Sequence, residues 1–206
     1  MKYDIEFLTN KTKEFQDEKR FNHTLGVAKE AYELGKIFIP KKAEKLMIAG
    51  ILHDITKCFT TEKQIELCNL FNLSYDKEKE MPKLFHAKTG CEFAKEIFGD
   101  QIVDDEIYSS ILYHTTGRAE MTLFEAIIYL ADYIEPGRTF SDCIALREFF
   151  YTRIEKASSF DEKLEALREA MLLSFDLTIK NLIDENKKID FDTVNARNYF
   201  LQNKTV

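Results

Sequence analysis

All-α is the fold class that the sequence predicts: one helical bundle, with further helices packed on it at the C-terminal end. Three features point there. Only seven glycines and three prolines are spread over 206 residues, too few for a sheet joined by many tight turns. Leu, Ile, Ala, Glu and Lys are abundant, a mixture that favours helices. Apolar residues recur at helical spacing, and neither an internal repeat nor parallel β-α-β alternation is visible.

The helix predicted over 19–38 carries Phe21, Leu25, Ala28, Tyr32 and Leu34 on one face, and Pro40 closes it. A shorter helix starts near 42 and ends at His53 and Asp54, with Ala43, Leu46, Met47, Gly50 and Ile51 as its apolar stripe. Thr60 and Thr61 precede Glu62 and Lys63 and cap a helix containing Ile65, Leu67 and Cys68. Pro82 opens a helix that passes His86, reaches Phe98 and stops at Gly99. The next covers 104–114 and is broken by Thr115, Thr116 and Gly117. Residues 123–134 are apolar almost all round, the mark of a central buried helix, and Pro136 and Gly137 terminate it. The stretches 141–156, 161–185 and 193–202 read as amphipathic helices covering that centre. No low-complexity linker divides the chain, so 1–206 is expected to form a single domain.

Hydrophobic residues make up 45% of the chain and charged residues 32%, enough of both to bury a core and to exclude disorder. A net charge of -7 works against a nucleic acid partner, whose binding needs Lys and Arg to neutralise many phosphates. The opening residues Met1, Lys2, Tyr3 and Asp4 lack a basic region followed by an apolar run. No apolar stretch reaches membrane-spanning length, so a cytoplasmic protein without a membrane partner is expected. Cys58, Cys68, Cys91 and Cys143 lack the close pairing of thiolate metal sites and read as core or surface thiols.

Four histidines are present, His23, His53, His86 and His114, each in or at the end of a predicted helix. Singly, each reads as a surface or hydrogen-bonded core residue. Their neighbours change that. His53 and Asp54 end the apolar run Ala49, Gly50, Ile51, Leu52, and a carboxylate placed there is costly unless a cation or hydrogen bonds compensate it. Asp132 repeats the pattern in the middle of an apolar helix, a place that weakens its reading as an N-cap or a salt-bridge partner. A divalent metal supplies the missing compensation at both positions.

The ordered set His23, His53 with Asp54, and Asp132 resembles the H, HD, D pattern of the HD superfamily of metal-dependent phosphohydrolases. Arg20 ahead of His23, 49–57 (AGILHDITK), 85–90 (FHAKTG), 114–117 (HTTG) and 129–138 (YLADYIEPGR) are similar to the YqeK family of bacterial HD proteins. The HD pair alone says little. Five motifs in this order, spanning 20–138, are specific.

That resemblance implies an all-helical HD domain, its motif-bearing core over about 18–140 and its packed C-terminal helices over about 141–203. It implies symmetrical hydrolysis of dinucleoside tetraphosphates, converting diadenosine tetraphosphate to two ADP. Carried over by motif, His23, His53, Asp54 and Asp132 hold a divalent ion, iron first, with manganese or zinc as alternatives. His86 and His114 hold a second ion bridged by Asp54, or face the substrate phosphates if one ion binds. The catalytic set is then Asp54, Lys57, His86 and His114. Substrate contacts are expected from Arg20, Asp54, Ile55, Thr56, Lys57, His86, Lys88, His114, Thr115, Thr116, Asp132 and Arg138, with Arg118 a further basic residue. Thr115, Thr116 and Gly117 read equally as phosphate donors and as a helix-ending turn.

Polyphosphate hydrolysis needs cations on the phosphoryl oxygens and a nucleophile available near neutral pH. Metal held by imidazole and carboxylate meets both needs. The alternatives are another HD nucleotide phosphohydrolase and a noncatalytic nucleotide-binding regulator. Ile55, Thr56 and Lys57 lack the acidic pair of alarmone hydrolases, and the retained ligand set argues against a regulator. An apolar face in the C-terminal third would suit a homodimer, though core packing is the commoner cause of such a stripe.

Overall fold

The computed structural model describes residues 4–202. Met1, Lys2 and Tyr3, read above for a leader, and residues 203–206 of the expected domain lie outside the described residues. Eleven α-helices and no strands occur among the described residues: α1 (Ile5–Lys13), α2 (Glu18–Phe38), α3 (Ala43–Leu52), α4 (Thr61–Leu70), α5 (Asp76–Glu80), α6 (Phe85–Phe98), α7 (Asp105–Tyr113), α8 (Leu123–Ile134), α9 (Ser141–Lys156), α10 (Phe160–Asp184) and α11 (Phe191–Gln202). No helix among the described residues is long and apolar enough to cross a membrane.

The centre is α8, as its composition requires. Phe124 to Ala131 are all buried, and α2, α3, α7, α9 and α10 pack on it. Its start is fixed by a capping box: Thr122 accepts from the Glu125 backbone N–H while the Glu125 carboxylate accepts from that of Thr122. Phe175 joins the C-terminal helices to this centre, its ring 4.8 Å from Tyr129 and 5.7 Å from Phe200.

Pro40 and Pro82 each begin a 3-10 turn, Pro40–Lys42 and Pro82–Leu84, rather than an α-helix, so α3 and α6 start at Ala43 and Phe85. The predicted face of α2 needs one correction. Leu25 is 39% exposed, and Thr24, Val27 and Ala31 take the buried positions around Ala28 and Leu34. Two helices were not foreseen: α1 buries only Leu8 and Thr12, and α5 is five charged residues, too little apolar signal for either to show a period.

α2 lies so close to α3 that a Cβ on Gly50 would stand 2.7 Å from the Ala28 Cα. That contact sets the distance between His23 on α2 and His53 at the end of α3. Gly50→Ala is therefore expected to lower stability by about 2 kcal/mol through overpacking against main chain. Urea denaturation checks this, and an unchanged midpoint would show that the helices can separate freely.

Candidate metal centre

Five structural elements converge on one carboxylate. α2 brings His23, the end of α3 brings His53 and Asp54, the first turn of α6 brings His86, the cap of α7 brings His114, and α8 brings Asp132. After α3 the chain continues in tight turns, with Ile55 N–H donating to Leu52 O, Lys57 N–H to Asp54 O and Phe59 N–H to Thr56 O. The three-residue spacing of such turns puts Asp54 and Lys57 on the same side.

Each oxygen of Asp54 faces its own pair of imidazoles. Oδ2 lies 3.4 Å from His53 Nε2 and 3.9 Å from His23 Nε2. Oδ1 lies 3.1 Å from His86 Nε2 and 3.4 Å from His114 Nε2. Asp132 Oδ1 completes the first group, 3.0 Å from His23 Nε2 and 3.8 Å from His53 Nε2. In the second, the Nε2 atoms of His86 and His114 are 3.0 Å apart, and the Thr115 hydroxyl is within 3.2 Å of both. Lys57 Nζ stands 3.1 Å from His86 Nε2.

Whether these residues fit a metal can be tested on their unused atoms. Asp54 is 2% exposed and His53 wholly buried, yet His23 Nε2, His53 Nε2 and Asp54 Oδ1 have no hydrogen-bond partner. Leaving such groups unmatched costs about 1–3 kcal/mol each. The other imidazole nitrogens are tethered: His53 Nδ1 donates to Gly50 O and His114 Nδ1 to Ile111 O, both at 2.7 Å, and His23 Nδ1 to Glu135 Oε1 at 3.0 Å. In His53 and His114 those tethers favour the tautomer with a free lone pair on Nε2, the arrangement of a metal ligand, and in His23 the tether to Glu135 orients the ring with Nε2 toward Asp132. Ligand atoms of His23, His53 and Asp132 lie within 4.8 Å of one another, as do those of His53, Asp54 and His114. The donor set of imidazole and carboxylate, without thiolate, suits a divalent ion such as iron, manganese or zinc.

The protonation pattern agrees. Burial alone would raise Asp54, but the imidazoles around it hold its pKa well below the ordinary carboxylate value. Asp132 is held low against burial chiefly by Arg138. Burial lowers His53, and burial with the Lys57 charge pushes His86 down to about 3. His23 moves the other way: burial opposes its charge, but Asp132 and Glu135 outweigh it. Asp54 and Asp132 thus favour the ionised form beside His53 and His86, whose burial favours the neutral one.

This floor opens into a cleft of about 560 Å³, whose lining includes Arg20, Lys57, Lys83 and Arg138. Arg20 Nη1 donates to Asp54 Oδ2 at 2.7 Å and Arg138 Nη2 to Asp132 Oδ1 at 2.5 Å, and each guanidinium keeps further donors. Arg147 holds the turn carrying Arg138 by donating to the carbonyls of Ile134, Glu135 and Arg138.

Five residues from the sequence reading neither line this cleft nor face Asp54 at its floor. Ile55 belongs to the apolar core, and the buried Thr56 hydroxyl bonds His86 O and Thr89. Lys88 is engaged by Ser74 O and Glu78, and Arg118 by Glu125. Thr116 is buried, with its hydroxyl donating to Gly117 O. Conversely, the reading missed Glu135, although it stands in the same 129–138 motif as Asp132. It also missed Thr178, Asn181 and Leu182, which α10 contributes to the cleft wall. The Glu135 carboxylate sits where a side chain on Gly26 would collide with it, and it also accepts from Gly137 N at 2.5 Å. Glu135→Gln should weaken divalent-ion affinity about tenfold by loosening the His23 ring. Competition against a chelator measures this, and unaltered affinity would remove Glu135 from the site's support.

Residues 20–137 match the HD domain family. A Staphylococcus aureus relative named "Bis(5'-nucleosyl)-tetraphosphatase, symmetrical" is 33% identical, the match covering 95% of each chain. A Bacillus subtilis relative of the same name is also 33% identical, over 89% of this chain and 90% of its own. A crystal structure of an HD superfamily hydrolase from Clostridium acetobutylicum, described as involved in NAD metabolism, is 36% identical. It superposes with a TM-score of 0.83 over 98% of this chain and 99% of that one. With four histidines and two aspartates gathered on one floor and most of its length shared with such relatives, this chain belongs to the HD domain family.

Proposed function

We propose that the protein hydrolyses dinucleoside tetraphosphates symmetrically, taking diadenosine tetraphosphate to two ADP. The observation that carries this is Asp54, buried with imidazoles facing both of its oxygens at the floor of a cleft rimmed by Arg20, Lys57 and Arg138. The names of relatives matched over most of their length supply the substrate class.

His23, His53, Asp54 and Asp132 would hold the first divalent ion, iron by family resemblance, with manganese and zinc as alternatives. His86 and His114, with Asp54, would hold a second, or would meet phosphate oxygens together with Lys57, whose ammonium already faces His86. When bound, such an ion polarises phosphoryl oxygens and lowers the pKa of water toward about 7. Arg20 and Arg138 bind phosphate oxygens through the donors not spent on Asp54 and Asp132. Lys57 sits in a buried position that lowers its pKa, and it neutralises charge on the departing diphosphate. His86 stays neutral, so it serves as a ligand or hydrogen-bond partner, not as an acid.

One water is consumed: its hydroxyl joins one central phosphorus, and the bridging oxygen leaves with the other, giving two nucleoside diphosphates. We take residues 1–206 as one working domain, because a single apolar cluster runs from Leu8 to Phe200. We also retain the cytoplasmic location, and a homodimer through the C-terminal helices, where Phe160, Ile183 and Leu201 are exposed.

Iron- or manganese-loaded protein should convert diadenosine tetraphosphate mainly to ADP, and chelation should stop turnover until the ion is returned. Chromatographic recovery of AMP and ATP as the main products would overturn the symmetrical assignment. Asp54→Ala should lower turnover by about a thousandfold or more with helical content retained. A folded, active Asp54→Ala protein would remove that residue from the chemistry.

A further inference from the structure

Three polar side chains meet in the interior behind the floor. Thr56 and Thr89 are wholly buried and Gln64 is 4% exposed, and none of them lines the cleft. They come from three places: the turn after Asp54, helix α6 three residues past His86, and the first turn of α4.

Their donors and acceptors leave little choice of partner. The Thr56 carbonyl can only accept, so the Gln64 amide turns Nε2 toward it, at 2.7 Å. Gln64 Oε1 then faces Thr89 and can only accept, so the Thr89 hydroxyl gives its hydrogen there. Phe85 O stands 3.0 Å from the same hydroxyl, but taking the hydrogen would leave Gln64 Oε1 buried and unmatched. Thr56 Oγ1 lies 3.0 Å from Thr89 Oγ1 and 3.1 Å from His86 O, so its one hydrogen goes to α6 in either case. With Thr89 as its acceptor the bonds close a ring, leaving Thr56 by its hydroxyl and returning to its carbonyl. Every donor then points the same way round, and each bond strengthens the next.

His86 has need of such a fastening. The rings of His23, His53 and His114 are tethered through Nδ1 to Glu135 or to main-chain carbonyls. Among the described residues, the partners of the His86 ring are side chains of the floor itself: Lys57, Asp54, His114 and Thr115. None of these is main chain, so the ring depends on where α6 places it. Asp54 is held from the other side as well, its carbonyl accepting from Gln16 Nε2 at 3.0 Å. A gap opened between the turn and α6 therefore displaces His86 before it displaces Asp54.

We propose that Gln64 and Thr89 are positioning residues for the hydrolysis: with Thr56 they close a buried hydrogen-bonded ring that sets His86 against Asp54. This rests on the hydrolytic reading above.

The test compares Thr89→Val, which keeps the shape and removes the hydroxyl, with Thr89→Ser, which keeps the hydroxyl. Gln64→Met cuts the same ring from α4 and carries the test should Thr89→Val not fold. Four histidines give four sets of imidazole signals, read by nitrogen NMR on the full-length protein loaded with zinc. Thr89→Val and Gln64→Met should each shift the His86 and His114 signals and leave those of His23 and His53 in place. The same two variants should lower kcat/KM for diadenosine tetraphosphate about tenfold, and Thr89→Ser should match wild type. The double variant should lose no more than the worse single one, because a ring already open cannot be opened again. Losses that multiply in the double variant, four signals that move together, or a His86 signal unmoved in a folded variant overturn the proposal. Wild-type protein that leaves the dinucleotide intact, while the variants still shift His86, defeats the activity alone. Wild-type protein that hydrolyses it no faster than a folded Thr89→Val variant defeats the positioning role alone.

Discussion

Asp54 is a carboxylate placed where a helix bundle would otherwise put an apolar residue, and the surrounding structure is arranged to keep it ionised. The preceding turn of α3 supplies Leu52 and Ile51 to the core, so the chain cannot turn Asp54 outward without exposing them. The alternative is to bring compensating groups inward. Four imidazoles and Arg20 do so, drawn from α2, α6 and α7 as well as from α3 itself. The close packing of α2 on α3, the start of α6 at Phe85 and the end of α7 before His114 all bring an imidazole to this one side chain.

That arrangement settles the local charge against the global one. The chain is acidic overall, yet the cleft above the floor is edged by Arg20, Lys57, Lys83 and Arg138. Two of these are tied to the carboxylates below, Arg20 to Asp54 and Arg138 to Asp132. The pairing orients the guanidiniums while leaving donors for an anion, so the same contact that keeps a ligand carboxylate ionised also prepares a phosphate site. An acidic exterior around a cleft that gathers Arg20, Lys57, Lys83 and Arg138 favours a small polyanion over a long one, whose outlying phosphates would meet repulsion.

The parts that could be read from the sequence share one property: they violate a local rule. His53 with Asp54 and Asp132 break apolar runs, and a charge in such a run demands a reason whatever the tertiary structure. The central helix was equally plain, because a segment apolar all round has one place to go. Leu25 and α5 show the limit. Leu25 satisfies a helical spacing as well as Val27 does, and only the packing of α2 between α3 and α8 decides which faces inward. In α5 the run Asp76 to Glu80 gives no period at all, and its buried Glu78 is held through Lys88. Glu135 was hidden by its position next to Pro136, where a carboxylate looks like an ordinary turn residue. Ile55 and Thr56 share a motif with Asp54 but point into the core, since consecutive residues in a tight turn face different ways.

A division of labour follows from where each group is mounted. The proposed metal ligands sit on helices or in the first residues after them, and the second nitrogens of His23, His53 and His114 are bonded to main chain or to Glu135, which leaves those rings little freedom of rotation. The walls of the cleft come from other places: the 3-10 turn at Pro82, the segment after α8 with Arg138 and Phe140, and the end of α10 with Thr178, Asn181 and Leu182. Chemistry that depends on sub-ångström placement is carried by the tethered floor, and shape recognition by turns and a helix end at the rim. Substrate preference within the family can then shift through residues that touch neither Asp54 nor its imidazoles, because the buried charge constrains the floor and leaves the walls free.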